Sequence, residues 1–267
     1  MSTILNFKVS VIMPSFNSSK HIREAVYSVL NQSYSDLELL IIDAGSTDGT
    51  VALIKQFSVD DKRVKYINNV DDDGPAHARQ VGIQNSEGNY IAFLDADDYW
   101  LPDKVEKQIN FMQEKDINFS YTCYRSIDEN GTNLSCPILM RDSYNLKQAL
   151  VGRGIGILTI MIEKSLLNDE IIQTRSDFAE DYLWWLLILK EGHIARQINI
   201  DGARYRKTKN SRSKNRISHQ LSLWNIYRKQ VQLSLITAFV YYTIYVINVS
   251  FSKLRVAVCS RYFNNTV

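Results

Sequence analysis

Three aspartates stand close together immediately after a short apolar run of the chain. Residues 90–94 read YIAFL, which is typical of a buried strand, and Asp95, Asp97 and Asp98 follow. Carboxylates this close repel one another and raise one another's pKa unless a cation or several backbone donors hold them. Because Mg²⁺ and Mn²⁺ prefer oxygen ligands and need few of them from protein, the spacing indicates a divalent metal site. The competing interpretation is a polar turn that caps the next helix.

The elements that must position these aspartates alternate between strands and helices. Apolar, β-branched runs at 9–13 and 37–43 predict buried parallel strands. Between them, Ser18 or Ser19 can cap a helix. The apolar positions of this helix recur at three and four residues, at Ile22, Ala25, Val26, Val29 and Leu30.

The alternation continues up to the aspartates. The patterns predict a helix over about 48–57, a strand near 64–68, a helix over about 75–85 and the strand at 90–94. Strand ends in open α/β sheets are where ligands bind. The first half is therefore predicted to be a doubly wound α/β unit with the aspartates at its ligand-binding edge.

The remainder of the chain is less regular. An amphipathic segment up to about residue 115 is followed by strand-like runs at 118–124 and 159–162 and a strongly helical run at 181–190. We expect three parts, residues 1–115, 116–220 and 221–267, of which the last is a C-terminal helical tail.

Within that tail, residues 231–251 are mostly apolar and carry no charge. Their length would fit one bilayer crossing. The run also contains six polar residues, so an amphipathic or protein-packed helix is an equally good interpretation. The stretch from Arg204 to Arg216 is basic and lacks acids, which favours an anionic membrane or polyanion nearby.

Composition narrows the class of protein. A hydrophobic content of 45% over 267 residues indicates a globular chain and not a disordered one. A net charge of +2, from 31 basic and 29 acidic residues, does not indicate a nucleic-acid binder. The sequence has no CxxC pair, no G-x-S-x-G motif and only four scattered histidines, which disfavours zinc binding and nucleophilic catalysis.

Four motifs in the first 110 residues resemble, in order, those of the family 2 glycosyltransferases. Residues 9–17, VSVIMPSFN, are similar to the opening VSVIIPxYN of that family, and residues 40–50, LIIDAGSTDGT, to its IIDDGSTDGT. Residues 74–82, GPAHARQVG, resemble GxxxARNxG, and 90–102 carry the DxD element. The resemblance implies a GT-A fold. Its Rossmann-like nucleotide-binding half (1–115) has a mostly parallel sheet and abuts a smaller acceptor-binding and catalytic-base lobe (116–220).

The resemblance also implies a pocket for the nucleotide base. In the family pattern Pro14, Ser15 and Phe16 line this pocket, and Asp43 accepts a hydrogen bond from the imide N–H of the base. Each residue also has a structural interpretation: Phe16 can belong to the core, and Asp48 in the same motif is more readily a helix cap than a ligand contact.

The family pattern further assigns residues around the diphosphate and its metal. Asp97 would bind Mn²⁺ or Mg²⁺, Asp95 would face the ribose or the metal shell, and Arg79 would lie near the nucleotide. Alternatively, Arg79 forms a surface ion pair. Asp98 is a candidate cap for the following helix.

The acidic pair Glu180 and Asp181 is similar to the ED motif of the family. Inverting transfer needs a general base that deprotonates the acceptor hydroxyl. Asp181 would be that base, and Glu180 would contact the donor sugar or the acceptor. The alternative is helix-dipole stabilisation by acids in a first turn. Trp184 and Trp185 follow at once, and packing in the core is favoured for them over stacking on a sugar.

Residues 205–213, YRKTKNSRS, resemble the family motif YRxHxxSxS, whose basic side chains could neutralise the departing phosphates. Two positions depart from the family. Thr208 replaces the usual histidine, which puts a contact from that loop to diphosphate or metal in doubt. Ala44 replaces the second acid of the DD pair, a change that retention of Asp43 makes tolerable.

The resemblance predicts an inverting, metal-dependent glycosyltransferase of cell-surface polysaccharide synthesis. Its partners would be a nucleotide-sugar donor, with UDP favoured, and a glycan or lipid-linked acceptor, without nucleic acid. Because nucleotide sugars are made in the cytosol, the expected location is the cytoplasmic face of the inner membrane, with contact through 231–251. The alternatives are a non-catalytic sugar- or nucleotide-binding assembly protein, a DxD-type Mg-dependent phosphatase and a nucleotidyltransferase.

Overall fold

The computed structural model describes residues 7–70, 74–132, 134–138, 140–152, 154–173, 180–208 and 216–264. Within these ranges, side chains are described except at 180, 216–219 and 252–264.

The described strands form one nine-stranded sheet. The strands are β1 (Val9–Ser15), β2 (Leu37–Asp43), β3 (Val64–Asn68), β4 (Tyr90–Phe93), β5 (Tyr99–Trp100), β6 (Phe119–Ile127), β7 (Ser143–Tyr144), β8 (Ile160–Glu163) and β9 (Ala195–Arg206). Their order is β3-β2-β1-β4-β8-β6-β9-β5, and β7 pairs with β9 outside this path.

The α-helices of the described residues cover both faces of the sheet and extend beyond it. They are α1 (Ile22–Leu30), α2 (Thr50–Asp60), α3 (Pro75–Asn85), α4 (Lys104–Lys115), α5 (Leu146–Val151), α6 (Asp169–Gln173), α7 (Glu180–Lys190), α8 (Arg216–Asn225) and α9 (Leu235–Asn264). Two buried clusters, one on each side of the sheet, form the core.

The first half is the predicted doubly wound unit. Strands β1, β2, β3 and β4 are parallel, and every residue of β1 and β2 is buried, which explains their nearly continuous apolar sequences. The bounds of β3 and α3 coincide with the prediction. At Gly82 an added Cβ would lie 2.5 Å from Ile12 Cγ2, so glycine allows α3 to pack closely on β1.

The predicted cap of α1 is wrong. Neither Ser18 nor Ser19 caps this helix with its side chain; the carbonyl of Ser18 instead accepts the backbone N–H groups of His21 and Ile22. The backbone N–H of Ser18 donates to Thr50 Oγ1 at 2.8 Å, and that of Ser19 to Asp48 Oδ2 at 3.1 Å. The two serines therefore join the loop after β1 to the start of α2.

The second half continues the same sheet. Strand β8 pairs antiparallel with both β4 and β6, and β6 runs parallel to β9. The boundary expected at residue 115 falls at the end of α4, between elements of this continuous sheet.

Helix α9 comes after α8 and includes the apolar run predicted at 231–251 from residue 235 onward. Over the described residues, no helix combines the length and the apolar character needed for a membrane crossing.

Candidate active site

The carboxyl ends of three parallel strands meet at one edge of the sheet. Strand β1 lies between β2 and β4, and Ser15 at the end of β1 is in register with Asp43 at the end of β2. On the other side, the backbone N–H of Leu94 donates to the carbonyl of Ile12 at 3.1 Å, which places the aspartates that follow beside the end of β1. This is the switch point of the sheet, where ligands bind in open α/β folds.

Asp43 is fully buried at this edge, and its two carboxylate oxygens face the loop that follows β2. Ser46 donates to it twice, from its backbone N–H to Oδ1 at 2.8 Å and from its hydroxyl to Oδ2 at 2.6 Å. Asn17 ties the loop after β1 to the same segment, since its side chain accepts from the N–H of Thr47 at 2.9 Å. Sequence reasoning missed Ser46 and Asn17, although both belong to the matched motifs.

Asp48 stabilises the start of α2, but it is not the predicted helix cap, because the N-cap residue is Gly49. Its Oδ1 accepts from the N–H of Thr50 at 3.1 Å and from the Thr50 hydroxyl at 2.5 Å. Burial alone would raise the pKa of Asp48, but hydrogen bonds from Thr50 and Ser19 outweigh it and lower the pKa to about 2.

The three residues predicted to line a base pocket differ in their environment. Pro14 is buried in β1, whereas the ring of Phe16 is 60% exposed, so the core interpretation of Phe16 is wrong. Ser15 is buried, and within the described residues its hydroxyl has no hydrogen-bond partner. A buried hydroxyl is unfavourable unless a polar group reaches it, and an exposed aromatic ring gains free energy when an apolar surface covers it.

Arg79 and Asp95 form an ion pair across the site. Arg79 Nη2 donates to Asp95 Oδ1 at 2.7 Å, and the arginine is buried while 33% of the Asp95 side chain is exposed. The predicted ion pair of Arg79 is therefore real, but it is buried and not on the surface. It links the third and fourth motifs directly.

Asp98 does not cap the following helix. Helix α4 begins at Lys104 with Asp103 as its N-cap residue, whereas Asp98 Oδ1 accepts the backbone N–H of Arg206 at 2.7 Å. Burial, together with the negative charges of Asp97 and Asp95, raises the pKa of Asp98 well above its ordinary value, although Arg206 opposes this. Asp98 thus connects the end of β4 to the end of β9.

Arg206 is a structural anchor beneath the aspartates. It is 3% exposed, and Nε donates to the carbonyl of Asp97 at 2.9 Å while Nη1 donates to that of Glu129 at 3.1 Å. Nη2 pairs with the carboxylate of Glu24 on α1. Its side chain therefore holds the DxD backbone, and its guanidinium donors are used within the protein. The motif had suggested instead that basic side chains of this segment neutralise the departing phosphates. Nothing in the sequence near Glu24 signals this partner.

The site offers carboxylate oxygens suited to a hard divalent cation. Asp97 is partly exposed, and Asp95 retains exposed surface despite its pairing with Arg79. Among the described residues no arrangement of three or more His, Cys, Asp or Glu side chains could by itself hold a metal. Mg²⁺ and Mn²⁺ commonly use one or two carboxylates and complete their shell with substrate phosphates and water, so the donor set fits such an ion.

Asp181 lies in the first turn of α7, after residues 174–179, which fall outside the described chain. Glu180 is the first residue of that helix, and its side chain is not described. Trp185, one turn after Asp181, packs against Phe93 with ring centroids 6.1 Å apart. This contact packs α7 against β4, the strand that leads to the aspartate cluster.

Trp184 and Trp185 are both buried in the core, as predicted. In the motif that begins at Tyr205, residues 205–208 are described, with Lys207 exposed and Thr208 partly exposed. The remaining residues, 209–213, lie outside the described chain.

Comparison with known proteins identifies relatives of this arrangement. The family described as Glycosyl transferase family 2 matches residues 10–164. TuaG of Bacillus subtilis (strain 168), a putative teichuronic acid biosynthesis glycosyltransferase, is 37% identical over 233 residues, covering 86% of this chain and 91% of that protein. WfgD of Escherichia coli, a UDP-Glc:α-D-GlcNAc-diphosphoundecaprenol β-1,3-glucosyltransferase, is 35% identical over 222 residues, covering 83% and 85%.

Solved structures share the fold. The mannosyltransferase PcManGT from Pyrobaculum calidifontis, in complex with GDP-Man and Mn²⁺, superposes with a TM-score of 0.64 at 16% identity and covers 98% of this chain and 80% of its own. The architecture is thus the GT-A fold expected from the motifs. With a family match over more than half of its length and relatives this similar, the chain belongs to glycosyl transferase family 2.

Proposed function

We propose that this glycosyltransferase moves a sugar from a nucleotide diphosphate donor, a UDP-sugar by preference, to a lipid-linked or polysaccharide acceptor with inversion at the anomeric carbon. One observation carries the proposal. The partly exposed carboxylates of Asp95 and Asp97 lie beside the end of β1, and the buried Asp43 lies on the other side of that strand. A nucleotide diphosphate needs a hydrogen-bond acceptor for its base and carboxylates for its metal, and this edge of the sheet carries both.

In this proposal the nucleotide lies across the ends of β1 and β2. The base would pack on Phe16 and Pro14 and donate its imide N–H to Asp43, whose carboxylate is held in place by two hydrogen bonds from Ser46. The unsatisfied hydroxyl of Ser15 supports a polar ligand at this place.

Asp97 would hold Mn²⁺ or Mg²⁺, with Asp95 in the metal shell or facing the ribose. When bound, the metal stabilises negative charge on the departing diphosphate. Arg79 holds Asp95 in place by their ion pair, and Arg206 holds the backbone of Asp97 and the carboxylate of Asp98. The aspartates are therefore positioned before any ligand arrives.

Asp181 would act as the general base. Its carboxylate takes the proton of the acceptor hydroxyl while that oxygen bonds to the anomeric carbon, and the bond from this carbon to the diphosphate oxygen breaks on the opposite face. The products are the glycosylated acceptor and the nucleoside diphosphate. Glu180 would contact the donor sugar or the acceptor.

The names of the two relatives support the choice of substrates. WfgD uses UDP-Glc and an acceptor carried on diphosphoundecaprenol, and TuaG is assigned to teichuronic acid biosynthesis. We propose the same substrate class here: a UDP-hexose, an acceptor linked to a polyprenyl diphosphate, and action at the cytoplasmic face of the membrane in surface polysaccharide synthesis.

Calorimetric titration of UDP with and without Mn²⁺ tests this proposal. We expect binding to the wild type that strengthens with Mn²⁺, and loss of that metal effect in Asp97→Ala. Asp60→Ala is a matched control, because Asp60 is an exposed aspartate at the end of α2, and it should bind as the wild type does. Absence of UDP binding in both metal states would contradict the UDP assignment.

A second measurement separates the enzyme from a non-catalytic binding protein. The wild type should release UDP from a UDP-sugar when a GlcNAc-diphosphoprenol acceptor is added. UDP binding without any such turnover, over a panel of UDP-hexoses and lipid-linked acceptors, would favour the binding-protein alternative.

A further inference from the structure

Helix α9 exposes an apolar face. Six large apolar side chains recur at three- and four-residue spacing and are between 39% and 79% exposed: Ile236, Phe239, Val240, Ile244, Ile247 and Phe251. We call this set the outer face. A stripe of this length and spacing on one helix is far more apolar than scattered surface residues, which normally marks a contact surface.

The opposite side of α9 is attached to the rest of the protein. Ala238 and Tyr245 are buried in the core. The Tyr242 hydroxyl donates to Gln220 Oε1 at 2.9 Å, and the Asn248 side chain donates to the carbonyl of Val151 at 2.8 Å. One side of the helix is therefore held against the protein. A surface that contacts the outer face would run parallel to the helix axis.

Polar groups beside the outer face are already satisfied. The Thr243 hydroxyl donates to the carbonyl of Phe239 at 2.9 Å, and the Ser250 hydroxyl to that of Val246 at 2.8 Å. Both bonds run back one turn within the helix. Burying this surface in an apolar medium would therefore leave neither hydroxyl donor without a partner.

The C-terminal part of the chain, which contains α9, is strongly basic. Residues 202–267 contain twelve Lys and Arg and no Asp or Glu, so all 29 acidic residues lie before residue 202. Within this segment, Arg228 and Lys229 precede the outer face, and Lys253 and Arg255 follow it. An apolar stripe with basic residues at both ends and no acids complements a surface with an apolar interior and anionic head groups.

We infer that α9 docks on an anionic lipid surface, with its outer face in the boundary between head groups and acyl chains and the exposed Lys229 on the head groups. A second copy of this chain is a poorer occupant, because two acid-free, basic segments would face each other. The inference does not depend on the identity of the donor or acceptor.

Co-sedimentation of the full chain with vesicles tests the inference. We expect binding to vesicles of phosphatidylglycerol and phosphatidylcholine that weakens with salt, and much weaker binding to phosphatidylcholine alone. Ile236→Ser combined with Phe239→Ser should reduce vesicle affinity about tenfold or more, since two large apolar side chains leave the lipid. Lys229→Glu should reduce it about fivefold or more.

Two matched controls use exposed residues of α2 and of the turn that follows it, away from α9. Val59→Ser removes a valine that is 80% exposed on α2, and Lys62→Glu reverses an exposed lysine after that helix; both should bind vesicles as the wild type does. UDP titration of every variant separates docking from donor binding, because the α9 variants should keep wild-type UDP affinity even if lipid binding is lost.

Three outcomes would overturn the inference: no binding to anionic vesicles, equal loss in the α2 controls, or unchanged binding in the Ile236/Phe239 variant. A concentration-dependent dimer in light scattering that the same double substitution dissolves, without lipid binding by the wild type, would assign the outer face to a second copy.

Discussion

The two ends of the parallel strands carry two charged clusters that are built differently. At the amino end, Glu38 accepts from the Ser10 hydroxyl at 2.6 Å and lies 2.7 Å from Lys65 and 3.3 Å from Lys8. Both lysines also pair with Glu87, at 2.6 and 2.8 Å. Two acids and two lysines therefore form a closed network of ion pairs. The network holds β1, β2, β3 and the turn before β4 together.

At the carboxyl end, the contacts within the described residues join three aspartates to two arginines. Asp95, Asp97 and Asp98 meet the buried Arg79 and Arg206, and Arg206 already pairs with Glu24. Asp95 and Asp97 remain partly exposed at this edge. The exposed surface of these two carboxylates is therefore accessible to a cation or a ligand.

Two equally buried carboxylates show the difference directly. Glu38 and Asp98 are each 2% exposed. Burial alone would raise the pKa of Glu38, but hydrogen bonds from Lys65, Ser10, the Glu87 backbone and Lys8 lower it to about 2. Burial and the charges of Asp97 and Asp95 raise the pKa of Asp98. Burial thus does not decide whether a charged cluster is structural or functional; the balance of its partners does.

The largest expected effect is that of replacing the proposed general base, Asp181. If the acids at the carboxyl edge and at the start of α7 act in chemistry, Asp181→Asn should lower the transfer rate by about 100- to 10,000-fold, since the acceptor hydroxyl loses its base. UDP affinity should not change. Single-turnover transfer and UDP calorimetry on the same protein measure the two effects.

Glu106→Gln is the control for the helix-dipole interpretation, because Glu106 lies in the first turn of α4, a helix of similar length. It should transfer sugar at the wild-type rate. Equal, small effects of the two substitutions would mean that Asp181 only stabilises its helix.

Arg206→Lys should have an intermediate effect. A lysine cannot serve the acceptors on Asp97, Glu129 and Glu24 at once, so the DxD backbone loses its support. We expect kcat/KM to fall about 10- to 100-fold and the apparent Mn²⁺ affinity to fall with it, as for other residues that orient metal ligands.

Arg204→Lys on the same strand is the matched control, since Arg204 is also largely buried but pairs with Asp201. It should keep the Mn²⁺ dependence of the wild type. A loss of thermal stability in Arg206→Lys with unchanged Mn²⁺ dependence would make Arg206 a purely structural residue.

The smallest effect on activity is expected at the amino edge. Glu38→Gln should lower the free energy of unfolding by about 2 kcal/mol, because two lysines lose a buried partner, yet leave kcat/KM unchanged. Chemical denaturation and the transfer assay check the two parts. A loss of activity without a loss of stability would break the proposed division between the two edges.

The pH dependence of stability gives the same substitution a second readout. The pKa of Glu38 is lowered from 4.5 to about 2, so its stabilisation is present above pH 4.5 and disappears as the pH falls toward 2. We expect the wild type to lose roughly 1 to 2 kcal/mol across this window from Glu38, after allowance for solvent screening. Glu38→Gln should lack that part of the slope.

Local patterns predicted the first half of the fold well. Strand β3 and helix α3 have the predicted bounds, and the buried positions Ile22, Ala25, Val26 and Val29 of α1 follow the predicted spacing. The caps were less predictable, since Ser18 and Asp98 bond to segments that are distant in sequence. The propensity of a residue to cap a helix depends on its neighbours in sequence. The hydrogen-bond partner that replaces the cap comes from another segment, which only the fold brings close.

The sequence by itself determined the order of strands and helices, the motif that delivers aspartates to the end of β4, and the family, because each depends on residues near one another in the chain. Only the tertiary structure decided the pairing of Arg79 with Asp95 and of Arg206 with Glu24, which are 16 and 182 residues apart. It also decided that Phe16 is exposed and that Arg206 is buried beneath the site. Such outcomes depend on which strands become neighbours, and no local pattern of residue types contains that information.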